Sequence, residues 1–100
     1  MHYLLIYDFV PDVVERRGPF RAAHLHAAWA ATERGELLLG GALTDPVDTG
    51  VLLFNCETPD VPEQFAANDP YVKNGLVSRW RVRRWTTVVG SQAETPVRPG

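Results

Sequence analysis

Residues 2–9, His2-Tyr3-Leu4-Leu5-Ile6-Tyr7-Asp8-Phe9, carry apolar or aromatic side chains at neighbouring positions rather than at every second one. A run so rich in aromatic and aliphatic residues, closed by Pro11, reads as a β-strand. The same density recurs in Leu37-Leu38-Leu39 and in Val51-Leu52-Leu53-Phe54. Consecutive apolar residues imply strands buried on both faces of their sheet. That implication governs the rest of the reading.

Between the first two runs, polar Asp12 to Gly18 leads into a helix. Pro19 suits its first turn because proline has no N–H to lose there. The alanine-rich stretch Phe20 to Glu33 continues it, and Gly35 is a natural stop. Glu36 to Leu43 reads as strand, with Gly40-Gly41 marking a bulge or a close backbone approach. Thr44 to Gly50 is a turn, and Val51 to Glu57 is the next strand. Thr58 or Asp60 can cap a short helix over Val61 to Ala67. Asn68-Asp69-Pro70 opens another brief helical turn that Gly75 ends, and the last strand lies within Leu76 to Val89.

The order β-α-β-β-α-β predicts an α+β, ferredoxin-like domain over residues 1–90 with a four-stranded antiparallel sheet. Residues 91–100, polar with two prolines, read as a flexible C-terminal tail. One long and one short helix can cover only one face of such a sheet. The other would be a large apolar patch, which soluble monomers rarely tolerate. The expected remedy is a sheet-to-sheet homodimer.

Composition narrows the function classes. The chain's 100 residues allow one domain. Its 45% hydrophobic and 22% charged residues rule out wholesale disorder. Ten basic against twelve acidic residues give a net charge of −2, so bulk electrostatics do not favour nucleic acid. A single cysteine, Cys56, offers no internal disulfide and no Cys-based zinc cluster. No apolar run approaches the roughly 20 residues of a membrane span. The N-terminus also lacks a secretory pattern, so the expectation is a cytoplasmic protein with no membrane partner.

A few polar residues are left to carry chemistry. His24 sits at the edge of a helical stripe formed by Ala22, Leu25, Ala28, Trp29 and Thr32, which reads as the core-facing side. His26, two residues on, suggests a chelate, but helical side chains at that spacing diverge by roughly 200° and cannot grip one metal. His24 is then either a histidine bonded to nearby backbone or an acid/base group. Asp69, just before Pro70, is either a helix cap or a carboxylate that orients His24.

Arg17 and Arg21 lie one turn apart on the edge that carries His24. They form either an anion clamp, or arginines that are paired with Glu15 or solvated. Tyr7 and Tyr71 can donate phenolic hydrogen bonds into a pocket, or they pack in the core. Cys56, alternating with Leu52 and Phe54, reads as buried packing. Arg79-Trp80-Arg81-Val82-Arg83-Arg84-Trp85 interleaves basic and aromatic residues, yet with an acidic overall balance it reads as a snorkelling strand edge.

Taken in order, several of these pieces resemble one family. They are Tyr7-Asp8, Arg17-x-x-x-Arg21-x-x-His24-Leu25, Gly35, Gly40-Gly41-Ala42-Leu43, Asn68-Asp69-Pro70-Tyr71-Val72, Gly75-Leu76 and the tryptophan-containing last strand. The set is similar to the YCII-related (YciI-like) proteins over roughly residues 2–90. It departs from them at Gly41-Ala42, where many members carry Gly-Pro. The resemblance implies a ferredoxin-like fold that pairs in the manner of dimeric α/β barrels. It also implies an active site centred on a histidine and an aspartate, which map onto His24 and Asp69. One activity associated with the family, dehydrochlorination of a chlorinated hydroxyquinol ring, is compatible with cofactor-free proton transfer.

The leading expectation is therefore a cofactor-independent lyase (dehydrochlorinase), isomerase or hydrolase acting on a small anionic or phenolic substrate. In it Asp69 orients His24, His24 moves a proton, and Arg21, Arg17, Tyr71 and Tyr7 hold the substrate. No metal and no other cofactor is expected. The alternative is a non-catalytic module holding a small ligand in a dimer cavity. A nucleic-acid binder using Arg79 to Arg84 is a third, disfavoured reading.

Overall fold

The N-terminal apolar run becomes β1 (His2–Phe9), an interior strand of the sheet. A short α1 (Val13–Arg16) and a long α2 (Gly18–Glu33) follow it, then β2 (Leu37–Leu43) and β3 (Thr49–Asn55). Two short helices, α3 (Asp60–Asn68) and α4 (Pro70–Lys73), precede the edge strand β4 (Val77–Trp85). The computed structural model describes residues 1–100. Strand order is β2-β3-β1-β4 with every neighbouring pair antiparallel, the ferredoxin-like arrangement expected from the element order.

Cross-strand register sorts the side chains between the two faces. Tyr3 opposes Phe54 and Arg84, Leu5 opposes Leu52 and Val82, and Tyr7 opposes Gly50 and Trp80. These residues share one face. It carries the core, in which Tyr3, Leu5, Tyr7, Leu52 and Phe54 pack against Ala31 of α2 and Ala66 of α3. Val13, Tyr71 and Leu76 form a smaller cluster beside it. The opposite face holds Leu4, Ile6, Val51 and Leu53, with Leu39 and Leu43 on the outer strand. No helix covers that face, and Leu39 is 72% and Leu43 54% exposed.

Two details differ from the sequence reading. The irregularity of β2 lies between Leu37 and Leu39, not at Gly40-Gly41, which pair regularly with Leu52 and Val51. The inward side of α2 is also rotated from the expected one. Ala31 is buried and His24, Ala27 and Ala28 are half-buried, whereas Leu25 is 42% and Trp29 65% exposed. Short alanine side chains let the helix lie against the sheet, and His24 can take an inward position because its ring finds a buried partner. Cys56 falls just beyond β3, half-buried, with its thiol donating to the Thr58 carbonyl.

The two helix stops follow the sequence. Gly35 after α2 and Gly75 after α4 have φ of +80° and +76°, the left-handed region that glycine enters without strain. Beyond Gly90, in the stretch read as a tail, the Thr95 N–H donates to Thr87 and the Val97 N–H to Val88. Glu94 accepts from the His2 N–H at 3.2 Å and from Arg84 at 3.3 Å. No helix is long and apolar enough to cross a membrane.

Candidate active site

Asp69 sits between α3 and α4 in extended backbone (φ −69°, ψ 125°), the conformation favoured before proline. Its Oδ1 accepts the Tyr71 N–H at 3.0 Å, which makes it the N-cap of α4. The same carboxylate meets His24 Nδ1, at 2.9 Å from Oδ1 and 3.0 Å from Oδ2. It also accepts the Tyr7 O–H at Oδ2, 2.7 Å away. The sequence offered cap and histidine partner as alternatives; one carboxylate fills both positions.

The Asp69 side chain has no exposed area, and that of His24 has 15%. A buried carboxylate is costly unless donors surround it, and here three converge from β1, α2 and α4. An ionised carboxylate only accepts, so the ring hydrogen facing it belongs on His24 Nδ1. Nε2 is then the free ring nitrogen, with a lone pair available to take a proton. Aromatic neighbours fix the plane of the ring. Tyr71 stacks on it, and Phe65 meets it edge-on with centroids 6.4 Å apart.

A groove of about 320 Å³ opens beside this cluster. Arg17, which precedes α2, and Arg21, Leu25 and Trp29 of α2 form one wall, and β2 around Gly40 and Gly41 forms another. Neither Arg17 nor Arg21 is held by a salt bridge within the chain; it is Arg16 that pairs locally, with Asp12 at 3.6 Å. The guanidinium groups of Arg17 and Arg21 therefore remain available to an anion in the groove. Burial pushes the Tyr71 hydroxyl above its ordinary value, while the charges of Arg21 and Arg17 pull it down and Asp69 adds to the rise. Burial also drives the Tyr7 phenol far upward, with the Asp69 charge and hydrogen bond reinforcing it. Tyr7 is thus a donor throughout the physiological range.

The structure brings His24, Asp69, Tyr7 and Tyr71 into one contact network and sets Arg17 and Arg21 on its groove. His26 is exposed. Arg81 of the basic strand pairs with Asp8 at 3.2 Å, and Arg84 lies over the Tyr3 ring at 5.8 Å. Sequence reasoning missed Leu25 and Trp29 as groove residues. The available signal was the series Arg21, Leu25, Trp29 at intervals of four, a stripe that begins with a charge and flanks His24.

Comparison with solved structures places the fold among known proteins. The chain is similar to 5-chloro-2-hydroxyhydroquinone dehydrochlorinase (TftG) from Burkholderia phenoliruptrix AC1100, solved with 2,5-dihydroxybenzoquinone. Identity is 26% and the TM-score 0.73, over 87% of this chain and 95% of that one. It shares its fold with protein Atu4242 from Agrobacterium tumefaciens at 13% identity and a TM-score of 0.52, covering 94% and 98% of the two chains. A search of curated proteins returns no match. The YCII-related domain model matches residues 1–86, nearly the whole chain, and by that match the protein belongs to the YCII-related domain family.

Proposed function

We propose that the protein is a cofactor-independent acid–base enzyme acting on a small phenolic or anionic ring substrate. The observation that carries this reading is the pairing of His24 Nδ1 with buried Asp69 at 2.9 Å, which leaves Nε2 as the free nitrogen beside the groove. In the proposed reaction Nε2 removes a proton from the substrate, and Asp69 stabilises the imidazolium that forms. Arg17 and Arg21 hold the substrate's anionic oxygens. In a dehydrochlorination the electrons released by proton removal expel chloride, so the net loss is one proton and one chloride ion. The protonated ring then returns its proton to solvent.

TftG supports the choice of reaction class, being a dehydrochlorinase of similar fold solved with an oxygenated six-membered ring. Apolar Leu25 and Trp29 beside cationic Arg17 and Arg21 suit such a ring bearing ionised oxygens. We propose further that the working unit is a homodimer joined through the open sheet face. Leu4, Ile6, Leu39, Leu43, Val51 and Leu53 supply the apolar surface for that contact.

The test is chloride release from 5-chloro-2-hydroxyhydroquinone under anaerobic conditions. His24→Ala and Asp69→Asn are each expected to lower kcat by about 10²–10⁴-fold. Unchanged turnover in His24→Ala would overturn the assignment of the base. Retention of the ring by the wild-type protein with no chloride released would favour a binding module instead.

A further inference from the structure

The geometry points to Tyr7 as a positioning residue: its phenolic O–H, donated to Asp69, is the fixed reference that aligns the carboxylate and, through it, His24. This inference rests on the acid–base reading of His24 and Asp69 given above. It also reassigns Tyr7, since a phenol has one proton and this one is already committed to Asp69 Oδ2 at 2.7 Å. That hydroxyl is not available to donate to a substrate.

The three donors to Asp69 are not equivalent. The Tyr71 N–H is local, two residues along the same connection between α3 and α4. His24 is the group that has to be aligned. Only Tyr7 ties the carboxylate to the sheet, across 62 residues of sequence. Its own position is well determined. Tyr7 lies in an interior strand between Gly50 and Trp80 and is 1% exposed.

Neighbouring rings hold it from the side. Phe9 meets Tyr7 edge-on at 6.1 Å and Tyr71 edge-on at 6.4 Å. Gly50 makes the space for this packing, because a Cβ there would lie 2.9 Å from Phe9 Cζ and 3.3 Å from Tyr7 Cβ. Rigid elements hold reactive groups more accurately than loops do. The catalytic aspartate of this reading is on a loop, and Tyr7 lends it the rigidity of the strand.

The consequence is a fixed histidine tautomer. An ionised carboxylate only accepts, and the Tyr7 O–H at Oδ2 and the Tyr71 N–H at Oδ1 hold it facing His24 Nδ1. Nδ1 must then carry the hydrogen and Nε2 must remain bare. Without the phenol, Asp69 keeps only its local cap bond and the histidine. The carboxylate can then rotate, and the neutral ring is no longer confined to one tautomer.

The test combines a spectroscopic and a kinetic readout on the full-length protein. In ¹⁵N-labelled wild-type protein, long-range ¹H–¹⁵N correlation is expected to show neutral His24 protonated at Nδ1 alone, together with a slowly exchanging Tyr7 hydroxyl proton. Tyr7→Phe is expected to introduce a population protonated at Nε2. It should also lower kcat for chloride release by about 10–100-fold with KM little changed. Tyr3→Phe is the control, since Tyr3 is on the same strand and face but its hydroxyl reaches only Met1 Sδ at 3.6 Å. It should alter neither readout.

Wild-type His24 protonated at Nε2, or a Tyr7→Phe protein with wild-type tautomer and kcat, would overturn the inference. Absence of a slowly exchanging Tyr7 hydroxyl would do the same, whether or not Tyr7→Phe folds. If the wild-type protein releases no chloride, the proposed substrate class fails while the tautomer measurement still decides the role of Tyr7.

Discussion

The imidazole of His24 lies flat on the phenol ring of Tyr71, with centroids 3.9 Å apart and the planes within 6° of parallel. Together with the bond from Nδ1 to Asp69, this stack removes both freedoms of the ring, its swing about χ1 and its rotation about χ2. Tyr71 reaches that position because Asp69 caps the helical turn that begins at Pro70. Cap, stack and hydrogen bond are thus one assembly.

The stack and the hydroxyl of Tyr71 can be separated by substitution. Tyr71→Phe keeps the ring and should leave stability within about 1 kcal/mol of wild type, because the hydroxyl has no partner within the chain. Tyr71→Leu removes the stack, which is worth about 0.5–1.5 kcal/mol beyond apolar burial. Urea unfolding measures both. Equal losses in the two variants would show that stacking contributes nothing.

Asp69 offers a sharper comparison. Asp69→Ala removes a cap worth about 0.5–2 kcal/mol. It also leaves the Tyr7 hydroxyl buried without its acceptor, at a further cost of about 1–3 kcal/mol. Asp69→Asn retains an oxygen for the Tyr71 N–H, so it should unfold at higher urea than Asp69→Ala. Both should be equally defective in turnover. A similar midpoint for the two variants would refute the cap's contribution.

The open sheet face is the contact surface of the proposed homodimer. Leu39, 72% exposed in the single chain, is a benign site for lysine if the protein is monomeric, with an effect within about 0.5 kcal/mol. In the proposed homodimer Leu39→Lys buries a charge and should shift sedimentation from dimer towards monomer. Wild-type protein sedimenting as a monomer at micromolar concentration would refute the pairing.

Acid should loosen the closure formed by Glu94. Desolvation opposes the shift, but the His2 N–H, the N-terminal ammonium and Arg84 together hold this carboxyl below its ordinary value of 4.5. A depressed native value means the ionised form is bound more tightly in the folded state. Its stabilisation is present above pH 4.5 and is lost as pH falls through the native value. Glu94→Gln should therefore show a smaller drop in Tm between neutral and strongly acidic pH than wild type. An identical drop would exclude the contribution.

Most of the fold was legible because its signals are local. Dense apolar runs mark the strands, and Gly35 and Gly75 mark helix ends with the backbone only glycine enters easily. The inward face of α2 is not legible, because hydrophobicity alone places Leu25 and Trp29 inside. In fact alanines give the close approach and a satisfied histidine takes the inward position. The site of the β2 bulge is not legible in Gly40-Gly41, because cross-strand pairing, not glycine content, decides where an extra residue fits. At the site, residue types were legible and contacts were not. His24 and Asp69 are 45 residues apart, and no local pattern encodes their meeting. The role of Tyr7 is hidden for the same reason, since its bond to Asp69 exists only once β1 lies against the junction of α3 and α4.

Because Asp69 serves as helix cap and as the partner of His24, its loss would be felt twice in a living cell. On the proposed function a variant lacking it is slower and also scarcer, since a deficit of about one or two kcal/mol reduces abundance several-fold through proteolysis. His24, half-buried near the groove, carries less of the fold. Screens that score protein level and screens that score growth should therefore agree at position 69 and disagree at position 24.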